Sequence, residues 1–175
     1  FDLEIYNHTI TDSTIGFMID NCPRIEINSS SALTQVPFIM DDSHNATIVD
    51  STFEGAGITN SLVDMSNCGD LLFAGNIVEG GSDNGFELSD SPDSVIEGNT
   101  IVDCSPNGIS VAFSDDVQLL SNNIENSGAH GIEIGSCQRI ILDSNNLSMI
   151  GSEGFFLSSS HNGTLSDNIL NEIGS

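Results

Sequence analysis

The chain has 175 residues, which is enough for one domain with its own hydrophobic core. It carries 26 acidic residues against two basic ones, Arg24 and Arg139, so the formal net charge is −24. Such a surface repels nucleic acid and anionic membrane, and no apolar run approaches the length that crosses a bilayer. We therefore expect neither nucleic-acid binding nor membrane insertion.

The N-terminal part of the sequence alternates apolar and polar residues. Residues 1–15 predict a partial first coil, in which LEIYNHTI supplies two short strands. From Gly16 a new strand begins, with Phe17 and Ile19 on one side and Met18 on the other. A period of two places the first set in a core and the second in solvent. Residues 39–61 depart from the register that follows, so we predict an irregular coil with a bulge or a longer loop there.

The remainder of the chain repeats at a fixed interval. In each repeat a glycine precedes a first strand, a second strand follows, and an asparagine precedes a third, short strand. The period is 23 residues, as from Asn76 to Asn99. The glycines are Gly85, Gly108, Gly131 and Gly154, and the asparagines are Asn76, Asn99, Asn122, Asn145 and Asn168. A fixed period with strand alternation indicates a solenoid. We predict an all-β parallel β-helix of about seven coils with three strands per coil. It forms a single domain over residues 1–175 without clear caps.

The asparagine column has a structural interpretation. It falls at the turn between the second and third strands, so each side-chain amide can donate to the amide oxygen of the next coil and accept from the previous one. Asparagine also tolerates the left-handed backbone of tight turns. We therefore predict a stabilising asparagine ladder and not a row of catalytic residues.

The cysteines follow the same columns. Cys22, Cys68 and Cys137 share one column, and the closest two are two coils apart, while Cys104 lies in another column. A separation of two coils, ~10 Å, is too long for a disulfide. We predict four free thiols and no four-cysteine metal site.

The repeat pattern GI-x-I followed by N-x-I resembles the right-handed parallel β-helix repeats of the pectate-lyase-like superfamily. It is also similar to the repeats of NosD-like periplasmic proteins and of many surface proteins. The resemblance implies right-handed winding. The superfamily includes polysaccharide lyases, glycoside hydrolases, phage tailspikes and non-catalytic surface proteins, so the fold alone does not choose a function.

The catalytic residues of those enzymes are not matched here. The lyases use a lysine or arginine base, but Arg24 and Arg139 lie five coils apart, and we expect Arg139 to pair with Asp116 one coil away. Fragments of the polygalacturonase-like motifs occur as Asp115-Asp116, His130-Gly131 and Arg139-Ile140. Asp116 and His130 are separated by only part of a repeat and so lie on different faces, which leaves two carboxylates without the facing geometry of a glycosidase.

Acidic residues form two further columns. Asp70, Asp93 and Asp116 occupy one corner of three consecutive coils, and we predict a calcium site there because calcium prefers several oxygen ligands. A solvated acidic face without an ion is the alternative. A second row on the outward side of the first strand contains Asp41, Asp64, Glu87 and Glu133. The histidines share no column, so no copper or zinc site is expected, and calcium is the only cofactor considered.

Two functions are compatible with these observations. We expect a non-catalytic structural module of an extracellular surface protein or filament, without enzymatic activity, because the candidate catalytic residues do not share a column or a face of the coils. Open ends would let it stack axially on itself or on adjoining repeats. Candidate glycosylation sites support an extracellular, cell-surface location: Asn7, Asn28, Asn45, Asn146 and Asn162. The alternative is a carbohydrate-binding or carbohydrate-active domain with a polysaccharide partner, for which Phe156 is the candidate stacking residue.

Overall fold

The chain folds as a stack of coils in a computed structural model that describes residues 2–56 and 60–174. The first strands are β1 (Asp2–Tyr6), β2 (Thr9–Thr11), β3 (Ile15–Asp20), β4 (Arg24–Asn28), β5 (Ser31–Thr34), β6 (Val36–Asp41), β7 (Ala46–Val49), β8 (Thr52–Gly55), β9 (Val63–Ser66), β10 (Leu72–Ala74), β11 (Ile77–Glu79) and β12 (Phe86–Ser89). The later strands are β13 (Val95–Glu97), β14 (Thr100–Val102), β15 (Ile109–Ala112), β16 (Gln118–Leu120), β17 (Asn123–Ser127), β18 (Ile132–Gly135), β19 (Ile141–Asp143), β20 (Asn146–Ile150), β21 (Phe155–Ser158), β22 (Thr164–Ser166) and β23 (Ile169–Ile173).

Three parallel sheets run along the stack. Sheet A has the order β1-β4-β7-β10-β13-β16-β19-β22, sheet B β2-β5-β8-β11-β14-β17-β20-β23, and sheet C β3-β6-β9-β12-β15-β18-β21. Each coil passes through sheets C, A and B in turn, which confirms the predicted solenoid of about seven coils with three strands each. The described residues contain no helix that is long and apolar enough to span a membrane.

The core lies inside the coils because every strand points alternate residues inward. In the N-terminal half it is aromatic: Phe38, Phe53, Phe73 and Phe86 come from all three sheets, and successive ring centroids lie 5.3, 6.0 and 4.9 Å apart. In the C-terminal half aliphatic residues replace the rings. The fully buried rings alone remove a large apolar area from water, and such burial is the main driving force of folding.

The coil length varies where the sequence predicts an irregular coil. At the start of β5 and β8 one coil takes 21 residues. At the end of β6 and β9 it takes 25 residues. Phe53 and Met40 are both buried at these positions. From β9 onward the spacing is 23 residues. Part of the predicted longer loop, residues 57–59, lies outside the described residues.

The asparagine ladder forms as predicted at the corner between sheets A and B. Nδ2 of each of the first four asparagines donates to Oδ1 of the next one at 3.2, 3.0, 3.0 and 3.0 Å. The prediction of a left-handed backbone at the asparagines was wrong. The residue before each of them has the positive φ, for example 54° at Ser121 and 57° at Ser144. The preceding residue makes the turn, which leaves the asparagine amide aimed into the stack.

The cysteine column also behaves as predicted. All four thiols are free, with Cys68, Cys104 and Cys137 buried and Cys22 half-buried. Serine hydroxyls occupy the same column in the intervening coils, and Oγ of Ser91 accepts the backbone N–H of Cys68 at 2.8 Å. The column therefore selects a small side chain that satisfies a backbone group at this corner.

Candidate active site on the outward face of sheet C

The outward row of sheet C brings carboxylate and aromatic side chains together on one face of the solenoid. One residue per coil points away from the core, and in-register pairing places these residues side by side. In order along the stack they are Met18, Ile39, Asp64, Glu87, Ser110, Glu133 and Phe156. Neighbouring members are separated by one strand spacing, ~4.8 Å. We call this set the sheet C row.

The first group in the sheet C row is a pair of carboxyl groups. Asp64 lies beside Glu87 on the next coil, and both are half-buried. Burial, followed by the nearby charges of Glu87, Asp41 and Asp83, raises the pKa of Asp64. An unusually high pKa keeps a carboxyl group protonated at higher pH, so it can donate a proton to a substrate.

Glu87 lies in a different environment from Asp64. Its Oε2 accepts hydrogen bonds from Oγ of Ser61 at 2.6 Å and from Nδ2 of Asn84 at 3.3 Å. These two donors hold the carboxylate of Glu87 in one orientation. The two adjacent carboxyl groups are therefore in unlike surroundings, and this difference separates the roles of acid and base at a catalytic site.

A second group surrounds Glu133, two coils further along. Oε2 of Glu133 accepts a hydrogen bond of 2.7 Å from Nδ2 of Asn107, a residue that is only 4% exposed. Oδ1 of Asn107 in turn accepts the backbone N–H of His130 at 3.1 Å. A buried amide thus fixes both the carboxylate and the start of the next coil.

An aromatic pair closes this end of the sheet C row. The rings of His130 and Phe156 are stacked with centroids 4.7 Å apart and an interplanar angle of 9°. Nδ1 of His130 lies 3.0 Å from Oε2 of Glu153, and this contact is an ion pair when the imidazole is protonated. Phe156 remains 39% exposed, as the sequence suggested for a stacking residue.

The predicted calcium column lies elsewhere, at the corner between sheets C and A. Asp70 and Asp93 are exposed there, and Asp116 is half-exposed. Among the described residues, the three carboxylates whose oxygens lie within 4.8 Å of one another are instead Asp20, Asp41 and Asp42. The structure does not bring the predicted trio together in this way, and calcium binding stays a prediction.

Both basic residues of the chain are paired with aspartates. Arg139 makes two hydrogen bonds of 2.6 Å to the carboxylate of Asp116, which confirms the predicted ion pair, and this contact lowers the pKa of Asp116. Nη1 of Arg24 lies 3.6 Å from Asp2. Asp116 follows a sheet C strand and His130 precedes one, so the two residues lie at opposite ends of the sheet C strands. The fragments of hydrolase motifs therefore do not form one site.

Sequence reasoning placed Asp64, Glu87 and Glu133 in the sheet C row but missed the groups that orient them. It wrongly added Asp41, which pairs with Ser66, whereas Ile39 pairs with Asp64. Asn84 and Asn107 both precede a column glycine by one residue, and Asn107 donates to a carboxylate 26 residues later. That spacing is one repeat plus three residues, and it is a signal that the sequence carries. The contact of His130 with Phe156 has the same spacing.

The candidate glycosylation sites Asn7, Asn45, Asn146 and Asn162 are exposed and Asn28 is half-buried, and their occupancy stays a prediction.

The chain belongs to the right-handed β-helix family, because the family model of the right-handed β-helix region matches residues 2–115 and 36–175. This confirms the predicted membership of the right-handed parallel β-helix repeat family. No curated protein sequence is significantly similar to the chain.

Several solved structures share the fold. A proposed glycosyl hydrolase from Parabacteroides merdae superposes with a TM-score of 0.64 at 12% identity, over 85% of this chain and 81% of that one. The A-module of the mannuronan C-5 epimerase AlgE4 from Azotobacter vinelandii gives 0.58 at 12% identity, over 97% and 54%. The enzymatically active domain of tailspike protein 2 from bacteriophage CBA120 gives 0.61 at 12% identity, over 93% and 34%. This chain therefore spans about half of the second protein and a third of the third.

These likenesses correct two predictions. We expected a non-catalytic structural module and no enzymatic activity, whereas the structures that the chain resembles are described as a hydrolase, an epimerase and an enzymatically active tailspike domain. The spacing of known catalytic motifs does not reveal the unlike surroundings of Asp64 and Glu87, which only the folded chain creates. Identities of 12% establish the fold alone, so activity has to be argued from the site. Association with itself or with adjoining repeats stays a prediction.

Proposed function

We propose that the protein is a carbohydrate-active enzyme that hydrolyses glycosidic bonds of a polysaccharide lying along sheet C. The observation that carries this proposal is the pair Asp64 and Glu87, two neighbouring carboxyl groups of which one has a raised pKa and the other accepts two hydrogen bonds. Glycoside hydrolysis needs one carboxyl group that donates a proton and one that is ionised.

In this mechanism Asp64 protonates the glycosidic oxygen while the bond from that oxygen to the anomeric carbon breaks. Glu87 attacks the anomeric carbon and forms a glycosyl ester. Asp64, now ionised, removes a proton from water, and the water oxygen displaces Glu87. The backbone spacing of adjacent coils, ~4.8 Å, supports this retaining route, because retaining enzymes hold their two carboxyl groups about 5–5.5 Å apart.

A lyase or epimerase reaction is less well supported by these residues. Both reactions remove the proton beside a uronate carboxylate, and a cationic group is required to stabilise the charge that develops. The two guanidinium groups of the chain, on Arg24 and Arg139, contact aspartates outside the sheet C row. The formal net charge of −24 further disfavours a polyanionic substrate.

The shape of the site suits a polymer. The row from Asp64 to Phe156 covers four strand spacings, ~19 Å along the open face of the solenoid. A site of this length binds several sugar units on both sides of the bond that is cleaved. Cleavage within chains, rather than removal of terminal units, is the expected mode.

The proposal is tested by the release of reducing ends from a panel of neutral, cationic and anionic polysaccharides. We expect Asp64→Asn and Glu87→Gln each to lower kcat by about 10²–10⁴, the usual contribution of a positioned acid or base. Glu125→Gln, which makes the same chemical change as Glu87→Gln on sheet B and outside the sheet C row, serves as the control and keeps activity within a few-fold. Full activity in both carboxyl variants, or no activity of the wild type on any member of the panel, would refute the proposal.

We further propose that the enzyme acts outside the cytoplasm. Many polysaccharides are extracellular polymers, and four of the five candidate glycosylation sites are exposed. A protein isolated from its native source is expected to lose mass on enzymatic removal of N-linked glycans. An unchanged mass would contradict glycosylation.

A further inference from the structure

We propose that Glu133 and the stacked pair of His130 and Phe156 form a separate binding subsite for an amino sugar unit, so that the preferred polymer is cationic. This inference rests on the proposed function for its setting, because it names the substrate class of the same face. It has its own residues, which lie two to four coils away from Asp64 and Glu87.

The aromatic part of this subsite is a supported platform. Phe156 lies parallel to His130 at a centroid distance of 4.7 Å, so the imidazole covers one side of the ring and holds its orientation. The remaining exposure of Phe156, 39%, is an apolar surface of the kind on which the C–H face of a pyranose packs. The flat face of a sugar ring buries apolar area there and gains free energy from its removal from water.

The acidic part stands directly beside this platform. Glu133 and Phe156 are paired in register on adjacent strands, one strand spacing of ~4.8 Å apart. Asn107, which is nearly fully buried, donates to Oε2 of Glu133 and so fixes the carboxylate on the outward face. Oε1 has no hydrogen-bond partner among the residues that the structure describes, and it can accept from a ligand.

The charge of the subsite selects an ammonium group over other substituents. Glu133 is half-buried, and Glu153 lies beside His130. The guanidinium groups of Arg24 and Arg139 lie at the opposite ends of the sheet C strands, where each contacts an aspartate. A uronate unit at this position would place a third carboxylate among these groups, and like charges at such distances repel. A protonated 2-amino group on a sugar stacked over Phe156 would instead form a charge-assisted hydrogen bond to Glu133.

The spacing links the subsite to the proposed reaction. Glu87 and Glu133 are two coils apart, ~10 Å, which is comparable to the length of a disaccharide. A chain parallel to the solenoid axis therefore reaches from the platform to the carboxyl pair without bending.

The test is isothermal titration calorimetry on the Glu87→Gln protein, which binds without turnover, with three oligosaccharides of equal length. These are glucosamine oligomers at a pH where the amines are protonated, neutral N-acetylglucosamine oligomers and anionic galacturonate oligomers. We expect the glucosamine oligomer to bind best. Phe156→Ala is expected to weaken it by about tenfold, and Glu133→Gln by about threefold to tenfold while leaving the neutral oligomer unchanged.

Two controls match these changes. Phe113→Ala removes an exposed phenylalanine at the corner after β15, and Glu125→Gln removes a half-exposed carboxylate from sheet B. Neither control is expected to alter binding, and far-UV circular dichroism verifies that every variant is folded. An equal loss in the controls, a preference for galacturonate, or no binding of any oligosaccharide would overturn the inference.

The outcomes also separate the two proposals. Hydrolysis of an anionic polysaccharide by the wild type, lost in Asp64→Asn, would support the proposed reaction and overturn the amino sugar subsite. Selective binding of glucosamine oligomers that depends on Phe156 and Glu133, without hydrolysis of any polymer, would support the subsite and refute the reaction.

Discussion

The substitution Asn122→Ala tests the column that organises the solenoid. Asn122 is fully buried in the middle of the ladder. Its Nδ2 donates to the carbonyl of Ile96 at 2.9 Å and to Oδ1 of Asn145 at 3.0 Å. Its Oδ1 accepts from the backbone N–H and from Nδ2 of Asn99 at 3.1 and 3.0 Å. Alanine removes all four bonds and leaves buried partners on both neighbouring coils.

The expected loss of stability follows from this count. A buried hydrogen bond contributes about 1 kcal/mol, and a buried partner left unsatisfied costs at least as much. Four bonds therefore correspond to about 4 kcal/mol of unfolding free energy. For a chain of this size, a loss of about 1 kcal/mol lowers Tm by about 2–4 °C, so the expected decrease is about 8–16 °C.

The measurement is urea denaturation and thermal melting of the variant beside Asn123→Ala. Asn123 is the next residue, points outward, and accepts one exposed hydrogen bond of 2.7 Å from Asn146. Its substitution makes the same chemical change at the surface and is expected to cost about 0.5 kcal/mol. An equal effect of the two substitutions, or a loss below about 1 kcal/mol in Asn122→Ala, would refute the view that the ladder stabilises the stack.

Three further predictions concern single residues. The raised pKa of Asp64 means that the native state binds more protons than the unfolded chain, so the unfolding free energy falls as pH rises through this pKa. Asp64→Asn removes this cost and is expected to raise Tm at neutral pH but not under acidic conditions, as measured by calorimetry. Burial raises the pKa of Cys68 and of Cys104 to about 11, so alkylation of the native protein at neutral pH, followed by mass spectrometry, is about two orders of magnitude slower than for a free thiol. A Cβ on Gly131 would lie 2.8 Å from the backbone carbonyl oxygen of Gly154 on the next coil, so Gly131→Ala is expected to cost about 1–3 kcal/mol in urea melts. Gly135→Ala is expected to cost less, because its Cβ would meet only Oγ of Ser158, at an ordinary contact distance of 3.8 Å.

Specific results would contradict each of these three predictions. A stabilisation by Asp64→Asn that is equal at acidic and neutral pH would show that charge is not the cause. Alkylation of Cys68 as fast as in the urea-unfolded protein would contradict its burial. Equal costs at Gly131 and Gly135 would show that close approach of the coils does not select the glycine.

Most of the fold could be predicted from periodicity. A repeat of 23 residues with alternating apolar positions admits few structures other than a stack of three-stranded coils, since only stacking buries every apolar side. The backbone torsion at the ladder was not predictable in the same way. Whether Asn122 or Ser121 takes the left-handed conformation depends on which carbonyl of the previous coil the amide reaches.

The candidate site was predictable only in part. The sequence places Asp64, Glu87 and Glu133 in one row, because residues one repeat apart become neighbours, and it identifies Phe156 as exposed. The burial that raises the pKa of Asp64 depends on surrounding side chains from several coils, so no single repeat contains this information.

The sequence alone thus determined the coil, its period, the ladder and the position of each column, because these follow from local alternation and one repeat length. The tertiary structure decided which columns interact across a corner. The stacking of Phe156 on His130 and the hydrogen bonds to Glu87 and Glu133 join residues that differ in both coil and column. The spacing of these contacts, one repeat plus three residues, is present in the sequence, but side-chain direction and the twist between coils decide whether residues at that spacing touch.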